Sequence, residues 1–177
     1  MRPSRFNPIS LVVAVAAVAA IVAPAAAAAS TASARPSLVS SALGIEVHAT
    51  GTQGTFSGLT SGALSGGWYA VVEHTPLHPN ARITGGTFTL ATRVNGRSTT
   101  LKGRFARGSV TNTNPGANCT NQTFKVVGNL VGVGGTGTGA SSGTGLFAVT
   151  LTHHRAEILG SCVTYFATTK GTLTLSL

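Results

Sequence analysis

The residues of this chain that could move a proton or hold a metal are few, and they fall into two short stretches. The first is Glu73-His74-Thr75-Pro76-Leu77-His78-Pro79. His74 and His78 stand four apart, and with Glu73 they could surround Zn²⁺ or Cu²⁺ if one surface presented all three. That spacing aligns two ligands on a helix, but the prolines oppose a helix. The stretch therefore reads first as a proline-stiffened, solvated loop and only second as a metal site. The second stretch is His153-His154-Arg155, followed by Glu157. Neighbouring residues on a strand point to opposite faces, so these two histidines cannot chelate one ion together. Only His153 continues the apolar face of Phe147, Val149 and Leu151. It is either an acid or base inside a barrel or a capped residue at the barrel mouth, and the mouth is favoured because the strand is ending. Arg155 and Glu157 are expected to form a weak surface pair.

Carboxylates limit the remaining chemistry. The sequence has no aspartate and three glutamates, Glu46, Glu73 and Glu157. A hydrolytic triad would have to recruit one of them, and no G-x-S-x-G elbow is present. Paired-carboxylate glycoside hydrolysis needs two carboxyl groups within roughly 5–10 Å, which nothing local encourages. An isomerase or cyclase steering a reactive substrate with few polar groups would need His153, Glu73 or Glu46 to line a cavity. Trp68 and Tyr69 point to opposite faces, so one of them packs inside. Trp68, Tyr165 and His153 are the candidate ligand contacts. No catalytic residue, metal or cofactor is assigned.

The elements that must position these residues are strands. Past the N-terminal segment no helical pattern outlasts a turn, and short alternating runs rich in Thr, Ser, Gly and Val are separated by turn residues at roughly ten-residue intervals. Candidate strands cover 38–42 or 45–49, then 55–59, 67–74, 82–94, 97–111, 123–131, 145–153, 162–169 and 172–177. Asn95-Gly96 is a type I′ hairpin dipeptide, in which both residues tolerate positive φ. With Val94 opposite Arg97, Leu90 faces Leu101, Phe88 faces Gly103 and Gly86 faces Phe105 on one side. Thr89 with Lys102, Thr87 with Arg104 and Arg93 with Ser98 occupy the other, and a one-residue slip would scramble this separation. Large residues set against glycine suit a tightly curved sheet, because a ring can lie over bare backbone. The expected fold is therefore all-β, an antiparallel meander closed or strongly coiled into a barrel. Phe124, Val126 and Leu130 share a further face, with Gly128 as a bend. At the C-terminus either a turn at Lys170-Gly171 pairs Phe166 with Leu175, or one long strand carries Tyr165, Leu173, Leu175 and Leu177 together.

Gly132–Gly145 is nearly all Gly, Thr and Ser and reads as a mobile connection. It is no phosphate loop, since no lysine follows and no helix starts. Asn114-Pro115-Gly116 lies in an irregular loop that Cys119 would pin. Asn118-Cys119-Thr120 and Asn121-Gln122-Thr123 match the glycosylation acceptor pattern, but the Ala-, Gly- and Arg-rich composition reads as a high-GC bacterial gene, which discounts both.

The strand starts Gly85-Gly86-Thr87-Phe88, Gly103-Arg104-Phe105 and Gly143-Thr144-Gly145-Leu146-Phe147 resemble those of calycin-type barrels, and most closely the allene oxide cyclase and dirigent barrels. The resemblance covers residues 80–177. It implies an eight-stranded barrel whose cavity holds hydrophobic or phenolic molecules. The acidic positions those families use have no match here, so none of their catalytic residues carries over. The whole sequence is also similar to small secreted proteins of high-GC bacteria.

The N-terminus reads as an export signal. Arg2 and Arg5 precede a thirteen-residue apolar run from Leu11 to Ala23, and A-x-A patterns place cleavage after Ala29 or Ala34. An uncleaved anchor is the competing reading, but alanine inserts weakly and Pro24 divides the stretch, so no membrane span is expected after cleavage. The chain divides into a signal helix at 1–34 and one barrel domain at 35–177. Losing Arg2 and Arg5 lowers the formal charge from +9 to +7. Charged residues make up only 8% and never cluster, which argues against nucleic acid and leaves an anionic surface polymer as a conceivable partner. Cys119 and Cys162, the only cysteines, read as a disulfide in an exported protein. Closing a loop of about 44 residues is worth roughly 4 kcal/mol at most.

The reading that follows is a secreted, non-catalytic barrel binding a small apolar ligand or a cell-surface component. Two alternatives stand beside it: a cofactor-free isomerase or cyclase of the allene oxide cyclase-barrel type, and a structural or interaction protein of the cell envelope.

Overall fold

A computed structural model describes residues 35–135 and 142–177, so the expected signal at 1–34 and part of the expected mobile connection lie outside the described residues. The chain forms a closed barrel of eight antiparallel strands in simple up-and-down order. These are β1 (Ser37–Thr50), β2 (Gln53–Gly62), β3 (Gly66–His74), β4 (Asn80–Val94), β5 (Arg97–Asn114), β6 (Gln122–Gly134), β7 (Gly143–Ile158) and β8 (Ser161–Ser176). The barrel closes where β1 pairs β8, from Ser37 opposite Ser176 to Ile45 opposite Thr168. Closure removes the free sheet edge along that paired part of the seam. The two candidates at 38–42 and 45–49 are one strand. So are those at 162–169 and 172–177, which selects the long C-terminal strand over the Lys170-Gly171 turn.

The β4–β5 hairpin follows the register its turn dictates. Asn95 and Gly96 take φ of 51° and 77°. Val94 faces Arg97, Leu90 faces Leu101 and Phe88 faces Gly103. The expected Gly86–Phe105 pair does not form: pairing lapses between Ile83 opposite Gly108 and Thr87 opposite Arg104. Gly86 adopts φ 117°, and an added Cβ there would collide with the Val71 carbonyl oxygen, so only glycine fits this irregular point of β4. The Phe105 ring instead covers Gly128 of β6, where an added Cβ would come within 2.6 Å of it.

Inside the barrel, Phe147 of β7 is the hub. Its ring meets Trp68 edge-on at 5.3 Å, Phe105 edge-on at 5.9 Å and Phe88 at 6.3 Å, joining β3, β4 and β5 to β7. Leu90, Leu101, Leu130, Leu173 and Leu175 fill the space around these rings and are fully buried. At the end where the chain enters and leaves, Leu64 of the β2–β3 connection folds inward. Its backbone N–H donates to the buried Ser40 hydroxyl at 2.9 Å, so Leu64 stoppers that end.

The opposite end holds the turns after β1, β3, β5 and β7. Cys119, in a 3₁₀ turn before β6, is bonded to Cys162 at the start of β8, with Cα atoms 5.3 Å apart. Several strands carry an extra residue near this end: Val47 in β1, Thr113 in β5 and Tyr165 in β8. Such bulges bend a strand and re-aim its side chains. The Tyr165 bulge also answers an expectation. One long strand was to bring Tyr165 onto the face of Leu173 and Leu175, but the extra residue breaks the alternation and leaves Tyr165 on the outside, 65% exposed.

Candidate functional site

The end with the four turns is hollow. A cavity of about 120 Å³ opens there, walled by Phe56, Val72, Val110, Phe124, Val126 and Leu151, with Glu46, Thr50, Gln53, His74 and His153 as its polar side chains. Its apolar walls are themselves buried core residues, so the cavity is a hollow within one end of the core.

Glu46 and His153 face each other in this cavity. His153 continues the inward row Phe147, Val149, Leu151 of β7, and Glu46 continues the inward row Ser40, Ala42, Gly44 of β1. Between them runs β8, and the residue opposite His153 on that strand is Ala167. The β1–β8 ladder reaches Ile45 opposite Thr168, one step short of the level shared by Glu46 and Ala167. Strands two places apart lie roughly 9–10 Å from each other. The two side chains can meet only because the one between them is a methyl group. They do meet: His153 Nε2 and Glu46 Oε2 are 2.7 Å apart, with side-chain exposures of 19% and 8%. An ionised carboxylate only accepts, so the imidazole N–H donates. The Phe124 ring meets the imidazole edge-on at 5.2 Å and holds its plane. Gly54 of β2 leaves room for the carboxylate, since a Cβ there would stand 3.0 Å from Glu46 Oε1 and 2.7 Å from the Phe56 ring. One row deeper, opposite Leu151 and Gly44, Thr169 buries a hydroxyl that has no hydrogen-bond partner among the described residues.

His153 thus lies inside the mouth, partnered by a carboxylate rather than merely capped at a strand end. His74 lines the same cavity, but its Nδ1 lies 2.8 Å from the Thr75 carbonyl. Glu73 points outward toward Gly85, and His78 is exposed in the β3–β4 loop. Alternation along β3 separates Glu73 from His74, and no cluster of three or more His, Cys, Asp or Glu that could hold a metal occurs among the described residues. Trp68 is walled into the core at 2% exposure, over Gly44 and with its indole N–H donating to the Leu43 carbonyl at 3.2 Å, so it does not reach the cavity. Tyr165 is on the outer surface. The expected Arg155–Glu157 pair is absent among the described residues; the Arg155 guanidinium donates instead to the Gly116 carbonyl at 3.1 Å, fastening β7 to the loop that carries Cys119. His154 faces outward, 3.1 Å from the Thr168 hydroxyl and stacked on Phe166.

Gln53, Gly54, Phe124 and Ala167 shape the site without having been singled out for it. The alternation of β6 and β7 put Phe124 and His153 on inward rows, but their approach to β1 depends on closure of the barrel. Comparison with protein-family models, with curated proteins and with solved structures finds no match.

Proposed function

We propose that this is an exported binding protein that holds a small, largely apolar molecule of about one ring in size, with a hydroxyl of that molecule directed at the Glu46–His153 pair. The observation that carries this reading is an apolar hollow at one end of the barrel whose wall contains a part-buried carboxylate–imidazole pair. A dry cavity of roughly 150 Å³ is large enough to take benzene, so 120 Å³ sets the scale of the ligand. Mostly apolar walls with a few placed polar groups are the usual composition of a small-molecule site. The resemblance to calycin-type barrels implies the same kind of cargo. The disulfide is consistent with an extracellular location.

Titration with fluorobenzene and 4-fluorophenol, followed by ¹⁹F NMR, tests the reading. A hydrogen bond to a charged group is worth about 1.5–3 kcal/mol, so the phenol should bind roughly ten- to a hundredfold more tightly. Equal affinities would remove the role given to the pair.

The geometry favours one alternative. A carboxylate and an imidazole in contact, facing an apolar hollow, can also relay a proton, which is what a cofactor-free isomerase requires. Turnover of an enolisable ketone of similar size, lost in His153→Gln, would support catalysis over binding alone.

A further inference from the structure

Apart from the β4–β5 lapse at 84–86, where Phe105 is buried in the core, the ring of ladder pairing is incomplete at the β1–β8 joint. Pairing of β1 with β8 stops at Ile45 opposite Thr168, although β1 continues to Thr50 and β8 begins at Ser161. Each strand remains paired on its other side, β1 with β2 as far as Thr50 opposite Gln53, and β8 with β7 as far as Ser161 opposite Ile158. The two strands therefore separate here while each stays in the sheet. Both carry an extra residue at the point of separation, Val47 in β1 and Tyr165 in β8, and bulges bend strands away from a straight ladder. A groove runs on the outside of this joint, between Glu46–Ala49 on one bank and Thr164–Ala167 on the other. Glu46 and Ala49 also line the inner cavity. Glu46 thus borders both the inner cavity and the outer groove. Val47, Tyr165 and Phe166 are exposed along the groove, giving its outer rim an apolar surface.

From these relationships we infer that the β1–β8 joint is a lateral portal, through which apolar molecules of ring size enter and leave the cavity. The inference rests on the proposed ligand site for its biological meaning, but its geometry concerns the cavity alone. The unpaired segments can part without breaking a ladder hydrogen bond between them, whereas the flanking β1–β2 and β7–β8 ladders are formed as far as Thr50 opposite Gln53 and Ser161 opposite Ile158. Movement of Ala167 against Glu46 at the portal would also disturb the Glu46–His153 contact. Passage and recognition therefore use the same residues.

The experiment bridges the joint. Val47→Cys and Phe166→Cys, on opposite banks and outside the binding machinery, are linked with bis(maleimido)ethane; the same double variant capped with N-ethylmaleimide is the control. Fluorobenzene, which needs no polar partner, is the probe, and its exchange is read by ¹⁹F NMR. Bridging should slow both association and dissociation at least tenfold and leave the dissociation constant within threefold. Unchanged exchange overturns the portal, and so does a failure of fluorobenzene to enter the capped control. If bridging slows fluorobenzene but 4-fluorophenol shows no preference over it, the portal stands and the proposed ligand chemistry falls. Amide hydrogen exchange on the unmodified protein gives an independent reading. Seam-facing amides at 46–49 and 163–167 should exchange at least tenfold faster than those at 40–45 and 168–173, and equal protection would likewise overturn the portal.

Discussion

His153 Nε2 lies 2.7 Å from Glu46 Oε2, and the two residues reach each other over Ala167, the residue that faces His153 on the strand between them. The pair is built by three strands, and each contribution can be removed separately.

The middle strand is the simplest to test. Ala167→Leu places a branched side chain where Glu46 and His153 meet and fills part of the hollow. Binding of 4-fluorophenol should fall at least tenfold, because ligand space and polar contact go together. Overpacking costs about 1–3 kcal/mol, and urea denaturation should show a loss in that range with the barrel still folded. Retained affinity would mean that the ligand does not lie against the pair.

Removing one partner differs from removing both. Glu46→Leu alone leaves a mostly buried imidazole without its acceptor and should destabilise the barrel by about 1–3 kcal/mol. Glu46→Leu combined with His153→Leu should recover much of that loss, since apolar replacements of buried pairs are often neutral or stabilising. The double variant should also bind fluorobenzene and 4-fluorophenol equally. Urea midpoints of the three proteins form the check, and a double variant less stable than Glu46→Leu would show the pair to be structural.

Phe147 joins the rings of Trp68, Phe88 and Phe105, so its truncation should be among the costliest single changes in the chain. Phe147→Ala should lose about 3–5 kcal/mol in urea denaturation. A loss below about 1.5 kcal/mol would mean that the core around this ring is less close-fitting than the ring distances imply.

The β7–β8 turn carries a correctable fault. Leu159 has φ 51°, is wholly exposed and precedes Gly160 at φ 77°. An L residue in the left-handed region costs roughly 1–2 kcal/mol, and Asn tolerates it far better. Leu159→Asn should raise stability by up to about 1 kcal/mol, seen as a higher urea midpoint at unchanged slope. A lower midpoint would mean that the leucine makes a contact in solution.

Replacing the disulfide should cost stability and spare the architecture. Cys119→Ser with Cys162→Ser should lower unfolding free energy by about 2–4 kcal/mol, because the cross-link restricts the unfolded chain. The β5–β6 and β7–β8 ladders do not depend on it, so far-UV circular dichroism and fluorobenzene binding should persist. Loss of binding would assign the bridge a direct part in shaping the hollow.

The sequence was most legible where one local feature sets everything around it. Asn95-Gly96 fixes a turn, the turn fixes a register, and Phe88 falls opposite Gly103. Alternation along β7 likewise placed His153 in line with Leu151. β1 resisted such reading because it is built inside out. Its apolar side, Val39, Leu43, Ile45 and Val47, faces outward, while Ser40, Ala42, Gly44 and Glu46 face in. The small inward residues are needed because Trp68, from β3, lies over Gly44, so the volume inside this strand is supplied from elsewhere. A rule that sends apolar residues inward would turn Glu46 away from the site. Bulges such as Tyr165 lack a comparable sequence mark, and the Glu46–His153 contact spans 107 positions that only closure of the barrel brings together.

The adjacency of Ser37 and Ser176 at the stoppered end carries a different implication. The two ends of the described barrel are strand neighbours, so a few added residues could join them. The chain could then be cut at Asn95-Gly96, which lies at that same end, giving a circular permutant with every ladder intact. A reporter fused at the new ends would sit a full barrel length from the hollow and leave its rim unobstructed.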